Sequence, residues 1–292
     1  MPRIQWYPGH IAKTERKLGE ALKLVDIIIE VIDARLPVST INPRLRKQTI
    51  KKPTLLLINK TDLANPGENK KWQQHFKREL PAVMLYESLR SGAKRQQLIK
   101  ALIELGEPAM QKRIKKGLKR RPIRVLVIGM PNVGKSTVIN SIVARKKAKT
   151  GHKAGVTRAN QWIKIHDQVE LLDTPGIIPP SLDSEESGAL LATVSSVGEA
   201  AYDEEEVALF LLEHIENLYP NVCRNHYKLT EEQPLTLASI AANRLFKING
   251  DELDITRAAR SVLSDFRQGR LGRLTLEPLH PPKALEPLES EE

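Results

Sequence analysis

Only one cysteine, Cys223, occurs in the 292 residues. The chain can therefore form no internal disulfide and no cysteine-based zinc site, which fits a reducing compartment. No run approaches the roughly 18 consecutive apolar residues of a membrane span, so no membrane partner is expected. Aromatic residues make up 4%, too few for reading bases on aromatic stacking platforms. The N-terminus has neither the apolar stretch of a signal peptide nor the long acid-free character of a transit peptide. A cytoplasmic location is expected, and the short N-terminus favours a bacterial cytoplasm over an organelle without separating the two. What is plentiful is positive charge: 46 Lys and Arg against 35 Asp and Glu, a formal net +11. Such a surplus points to a polyanionic partner, with nucleic acid first in line. The length suits two compact units.

The order of elements comes next. Residues 25–33, 54–58, 83–86 and 125–128 are short apolar runs with the length of strands buried on both faces. Helical patterns at 68–80, 95–105 and 135–144 separate or follow them. Alternation of this kind means βαβ units and a parallel sheet. Residues 163–165 and 169–172 read as a hairpin, although Asp167-Gln168 is not a favoured two-residue turn. Beyond Leu182 the pattern becomes helical. Asp203 has the character of an N-cap, with Glu204, Glu205 and Glu206 in the first turn. From Asp254, an apolar stripe through Ile255, Ala258, Ala259, Val262, Leu263 and Phe266 ends at Gly269. These patterns predict an α/β domain over 1–182, a small all-α domain over 183–275, and a disordered Pro- and Glu-rich tail over 276–292.

Gly129-Met-Pro-Asn-Val-Gly-Lys135-Ser136 matches the P-loop pattern between a buried strand and a helix former. Its glycines let backbone N–H groups curl around phosphates, with Asn132, Val133, Gly134 and Thr137 completing the cradle. Lys135 is positioned to reach the β and γ phosphates, and Ser136 to ligate Mg²⁺. Asp173-Thr-Pro-Gly176 follows a strand, where the aspartate can hold Mg²⁺ and the Gly176 N–H can meet the γ-phosphate. Asn59-Lys60-Thr61-Asp62 follows another strand. There the Asp62 carboxylate can accept both the N1–H and the N2 amino group of guanine, which adenine cannot supply. Thr157 lies between the P-loop and Asp173 and could complete the Mg²⁺ shell.

Guanine recognition at 59–62 thus precedes the phosphate loop, which precedes the Mg²⁺ aspartate. With this motif order, with Trp6-Tyr-Pro-Gly-His10 and with Asp33-Ala-Arg-Leu-Pro37, the chain resembles the circularly permuted GTPases, specifically the ribosome-biogenesis GTPase A family. The resemblance extends to about residue 275. It implies a P-loop GTPase fold with permuted motifs, GTP/GDP and Mg²⁺ as ligands, and large-subunit ribosomal RNA as partner. It also implies a monomer and no role for DNA. The base-contacting Ser-Ala pair of the family is missing after Tyr86; Ser88 or Ser91 is left for that part.

Ras-type enzymes orient the attacking water with a glutamine after the DxxG. Here Ile177 and Ile178 stand in its place, as in the family, so hydrolysis is expected to be slow until stimulated. The resemblance points to His10 as the supplier, since a near-neutral imidazole can orient or deprotonate water. It also implies that Asn132 helps hold a K⁺ ion. On the helix from Asp254, Arg257, Arg260 and Arg267 fall within roughly 80° of one another opposite the apolar stripe. They form a candidate phosphate-tracking surface. Eight basic residues between Lys112 and Arg124 form a run with no assigned role. The expected function is a GTP-hydrolysing assembly factor for the large ribosomal subunit. The rival reading is an RNA-binding module with incidental hydrolysis.

Overall fold

The computed structural model describes residues 1–4, 11–87, 92–143, 161–173, 184–248 and 250–280, with backbone alone at 11–15, 92–93, 161 and 173. Six strands form one sheet: β1 (Ile27–Asp33), β2 (Thr54–Asn59), β3 (Ala82–Leu85), β4 (Ile123–Ile128), β5 (Gln161–His166) and β6 (Val169–Asp173). Their order is β3-β2-β1-β4-β6-β5. All pairings are parallel except β5–β6. All seven residues of β1 are buried, as expected of a central strand covered on both faces. The covering helices are α1 (Ile11–Leu24), α2 (Pro43–Thr49), α3 (Pro66–Phe76), α4 (Gly92–Lys115) and α5 (Lys135–Ile142). The unfavoured Asp167-Gln168 turn closes with help. His166 Nδ1 accepts the Gln168 N–H at 3.2 Å, and a bulge shifts the register between Lys164 and His166.

From residue 185 the elements are α6 (Glu185–Thr193), α7 (Glu204–Leu218), α8 (Val222–Tyr227), α9 (Leu237–Asn243) and α10 (Ile255–Arg267). Asp203 caps α7 by accepting from the N–H groups of Glu205 and Glu206, and Asp254 caps α10 through Arg257 N–H. Buried on all sides from Gly188 to Thr193, α6 contacts two cores: Leu190 and Ala192 join the helical cluster, Leu191 the cluster beneath the sheet. Leu36, just beyond β1, is buried in the helical cluster.

Two differences from the sequence reading have clear causes. Helix α4 runs ten residues past Leu105 and takes in Lys112, Arg113 and Lys115. Part of the basic run is structural: Arg120 pairs with Glu107, Arg121 with Asp26, and Arg124 with Glu170 while lying 4.2 Å from the Trp162 ring centroid. The second difference concerns the start of the 276–292 tail for which the sequence predicts disorder; residues 281–292 lie outside the described set. Residues 276–280 are packed: Leu276 is buried, Trp72 Nε1 donates to the Glu277 carbonyl at 2.9 Å, and Leu279 joins the cluster around Phe76. The Glu277 carboxylate accepts from the Val38 and Ser39 N–H groups at 2.7 and 3.0 Å. A polar-looking sequence is ordered here because Leu276 and Leu279 reach two different apolar clusters and Glu277 finds backbone donors between them.

Candidate nucleotide-binding site

Along the chain, strands are added on one side of β1 as far as β3, and then β4 is laid on the other side. The carboxyl ends at this switch point define the crevice in which α/β sheets bind ligands. The P-loop leaves β4 there and the Asn59–Asp62 loop leaves β2. Gly129 has φ +149 and Gly134 φ +100. A Cβ on Gly129 would fall 2.3 Å from the Val31 carbonyl oxygen, and one on Gly134 2.3 Å from Asn59 Nδ2. Glycine is thus required at both ends of the loop by curvature and by close approach. Asn132, also left-handed at φ +57, completes the curl.

The two loops are tied together. Asn59, fully buried, donates from Nδ2 to the Val133 carbonyl at 2.9 Å. Lys60 Nζ donates to the Asn132 carbonyl at 2.6 Å and lies 2.9 Å from Asp33 Oδ2. Thr61 Oγ1 donates to the Tyr86 carbonyl at 3.1 Å, fixing the loop to the end of β3. Asp62 is partly exposed beside this junction, and Ser136 and Thr137 are accessible at the start of α5. Lys135 Nζ donates to the Met130 carbonyl at 2.7 Å, across the mouth of the loop. Burial lowers its ammonium pKa from 10.5 to about 8, so an anion beside it would restore a missing counter-charge. The loop curvature, that lysine and the hydroxyl after it fit a magnesium–nucleotide phosphate group. Asp173 ends β6, next to β4, with its side chain outside the described set. His10, Ser88, Ser91, Thr157 and Gly176 lie outside the described residues.

Sequence reasoning left Arg35 without a role; its place is now plain. Arg35 is 2% exposed and Asp33 1%. The guanidinium meets Asp33 through Nη2 at 2.7 Å and Nε at 3.0 Å, lies 5.2 Å from the Phe266 ring centroid, and donates from Nη1 to the Arg267 carbonyl. Burial opposes the Asp33 charge, yet Arg35 and Lys60 together hold its carboxyl far below the usual range. Arg35→Met would leave a buried carboxylate with one cationic partner, Lys60, and an expected loss on the order of 3 kcal/mol follows. Urea denaturation with an unchanged midpoint would contradict this.

Another residue pair gave no signal in the sequence. Ser195, at φ +58, accepts at its carbonyl from Asn132 Nδ2 at 2.6 Å, and Ser196 Oγ donates to the Pro131 carbonyl at 2.7 Å. The P-loop thereby touches the segment that directly follows α6.

Arg267 requires a correction. Instead of facing solvent with Arg257 and Arg260, it donates from Nε to the Thr193 carbonyl and from Nη2 to the Ala192 carbonyl, both at 2.9 Å. It caps the C-terminal end of α6, where unpaired carbonyls and the helix dipole favour a cation. The helical wheel placed it opposite the apolar stripe, but α6 occupies that side.

Comparison with known proteins fits this geometry. Residues 124–242 match the family described as "50S ribosome-binding GTPase", and the Asn59–Asp62 loop lies upstream of that match. A ribosome biogenesis GTPase A of Bacillus cereus is 38% identical over 277 residues, covering 94% of this chain and 93% of the relative. The chain belongs to the ribosome biogenesis GTPase A family. Among other members of similar sequence, the Priestia megaterium protein is 37% identical over 98% of this chain and 99% of its own. The bovine mitochondrial ribosome-associated GTPase 1 is 34% identical over 94% and 88%. The crystal structure of GNP-bound YlqF from Thermotoga maritima covers 92% of this chain and 100% of its own, at TM-score 0.65 and 27% identity. Family membership makes this chain a P-loop GTPase with permuted motif order. The ribosome biogenesis GTPase A motifs Asn59–Asp62 and Gly129–Ser136 meet at one crevice despite their reversed order.

Proposed function

We propose that this GTPase assists assembly of the large ribosomal subunit in the cytoplasm as a monomer, with nucleotide state coupled to an RNA-binding helical unit over 183–275. Ser136, Asp173 and Thr157 are the proposed Mg²⁺ ligands, and Asn132 the K⁺ ligand. When bound, the cations neutralise charge on the phosphates. Lys135 adds a fixed positive charge, Asp62 selects guanine with Ser88 or Ser91 beside the base, and the Gly176 N–H meets the γ-phosphate. The observation that carries the coupling is a closed path of contacts. Asn132 connects through Lys60, Asp33 and Arg35 to the Arg267 carbonyl; Arg267 grips the end of α6; and Ser195 returns to Asn132. A change at the phosphates therefore acts on α6 and α10 from two sides.

With Ile177 and Ile178 unable to bind water, His10 is proposed to position it once the ribosomal particle is bound. GTP turnover should rise at least tenfold on adding large subunits, more in KCl than in NaCl. His10→Ala should keep GDP affinity and lose that rise. Equal turnover with and without subunits would favour the rival reading, an RNA-binding module with incidental hydrolysis.

A further inference from the structure

We propose that the RNA-docking face of the helical unit is formed by Arg244, Arg257 and Arg270, with Leu245 exposed alongside. This rests on the reading of that unit as RNA-binding and replaces the face drawn from the sequence. That earlier face is compromised: Arg267 is spent on α6, and Arg260 pairs at 2.6 Å with Glu204. Glu205 accepts from Thr256 Oγ1 on the same side, so the acidic first turn of α7 faces the Arg260 edge and would repel phosphate.

On the other edge of α10, the charge balance reverses. Asp265, 1% exposed, accepts from Arg270 Nε at 2.5 Å and Tyr227 Oη at 3.1 Å and forms an ion pair with Arg244 Nη2 at 3.0 Å, with His226 Nε2 also at 3.1 Å. Two guanidiniums on one carboxylate leave a net positive charge, and both stay partly exposed, Arg244 at 31% and Arg270 at 44%. Ser261 Oγ accepts from Arg244 and Ser264 Oγ from Arg270, so the two planes lie across one polar face of α10. Arg257 lies on the same face one turn earlier, 4.5 Å from the Phe246 ring centroid. The anchoring points on α10, residues 257, 261 and 264, follow one another at three to four residues along one face, so the three cations are available to successive phosphates on a strand. Preorganised guanidinium planes are also the better phosphate partners.

Beside them, Leu245 is 77% exposed in the left-handed region at φ +56. For a leucine this conformation is strained, and the loop fixes it through Phe246 N–H to the Ala241 carbonyl at 2.9 Å and the Lys247–Leu253 bridge. An apolar side chain held outward next to arginines suits an unstacked base. Lys247 contributes little charge, since Asp251 pairs with it.

The test measures affinity for deproteinised large-subunit RNA across a salt series. The Arg244→Gln/Arg270→Gln double variant should bind at least tenfold more weakly, with the slope of log K against log salt shallower by roughly two. Arg270→Gln alone, which leaves Asp265 with Arg244, His226 and Tyr227, should move half as far. Arg260→Gln should stay within twofold, and Leu245→Ser should weaken binding without changing the slope. If wild type binds RNA and the double variant binds equally well, or if Arg260→Gln loses as much, the assigned face is wrong while the RNA reading stands. If wild type binds no RNA yet large subunits stimulate it, the RNA reading itself falls, and a ribosomal protein is the partner.

Discussion

Lys135→Ala should lower GTP turnover at least a hundredfold, with and without ribosomal particles. The Nζ sits at the mouth of the P-loop, 2.7 Å from the Met130 carbonyl, in surroundings that already depress its pKa to about 8. A fixed cation in a desolvated site interacts with developing phosphate charge far more strongly than in water, and losing one such group typically costs about 10²–10³ in rate. The fold should survive the change, because the buried members of α5 are Val138 and Ile142. Turnover by phosphate release, together with thermal unfolding, separates the two effects. A variant within fivefold of wild type would show that Lys135 does not act on the reacting phosphate.

The second large effect concerns the base. Asp62→Asn replaces two carboxylate acceptors by one acceptor and one amide donor. Guanine presents N1–H and an amino group, so the amide donor would meet a donor and leave it unpaired. Xanthine carries a carbonyl where guanine carries the amino group and would now be matched. Such mismatches at a polar site discriminate by about 10⁴–10⁵. GDP affinity should therefore fall by at least a hundredfold while XDP affinity rises above it. Equilibrium binding of both nucleotides gives the answer; unchanged preference for GDP would move guanine recognition elsewhere. The tether of Asn59 to Val133 and of Lys60 to Asn132 keeps the loop in place in the variant, so the readout is chemical.

The sheet and the nucleotide motifs were legible because each signal is local. A run such as Ile27–Asp33 is apolar enough to require burial on both faces, and a P-loop is defined by spacing. Even the reversed motif order is readable, since order is a property of sequence. Arg267 was misread for the opposite reason. A helical wheel tells which side is polar but not what stands opposite, and α6 lies 74 residues away along the chain. Arg35 illustrates the same limit: the Asp-Ala-Arg-Leu-Pro segment does not name its partners, and one of them, Phe266, lies far along the chain while Asp33 is adjacent. Asp265 could not be recognised as an organiser, because His226, Arg244 and Arg270 reach it from three separate segments.

The segment following α10 bears on the order in which the site is built. Arg273 donates from Nη2 to the Thr61 carbonyl at 2.8 Å and from Nε to the Ala64 carbonyl at 3.2 Å. Leu274 N–H reaches the Leu63 carbonyl, Thr275 Oγ1 accepts from Asn65 N–H, and Leu279 N–H meets Glu68. The Asn59–Asp62 loop is thus braced from behind by residues about 210 positions later in the chain. During synthesis that loop emerges early and stays unbraced until residues 273–279 follow it. A chain stopped before residue 273 would carry the same Asn59–Asp62 loop without these contacts.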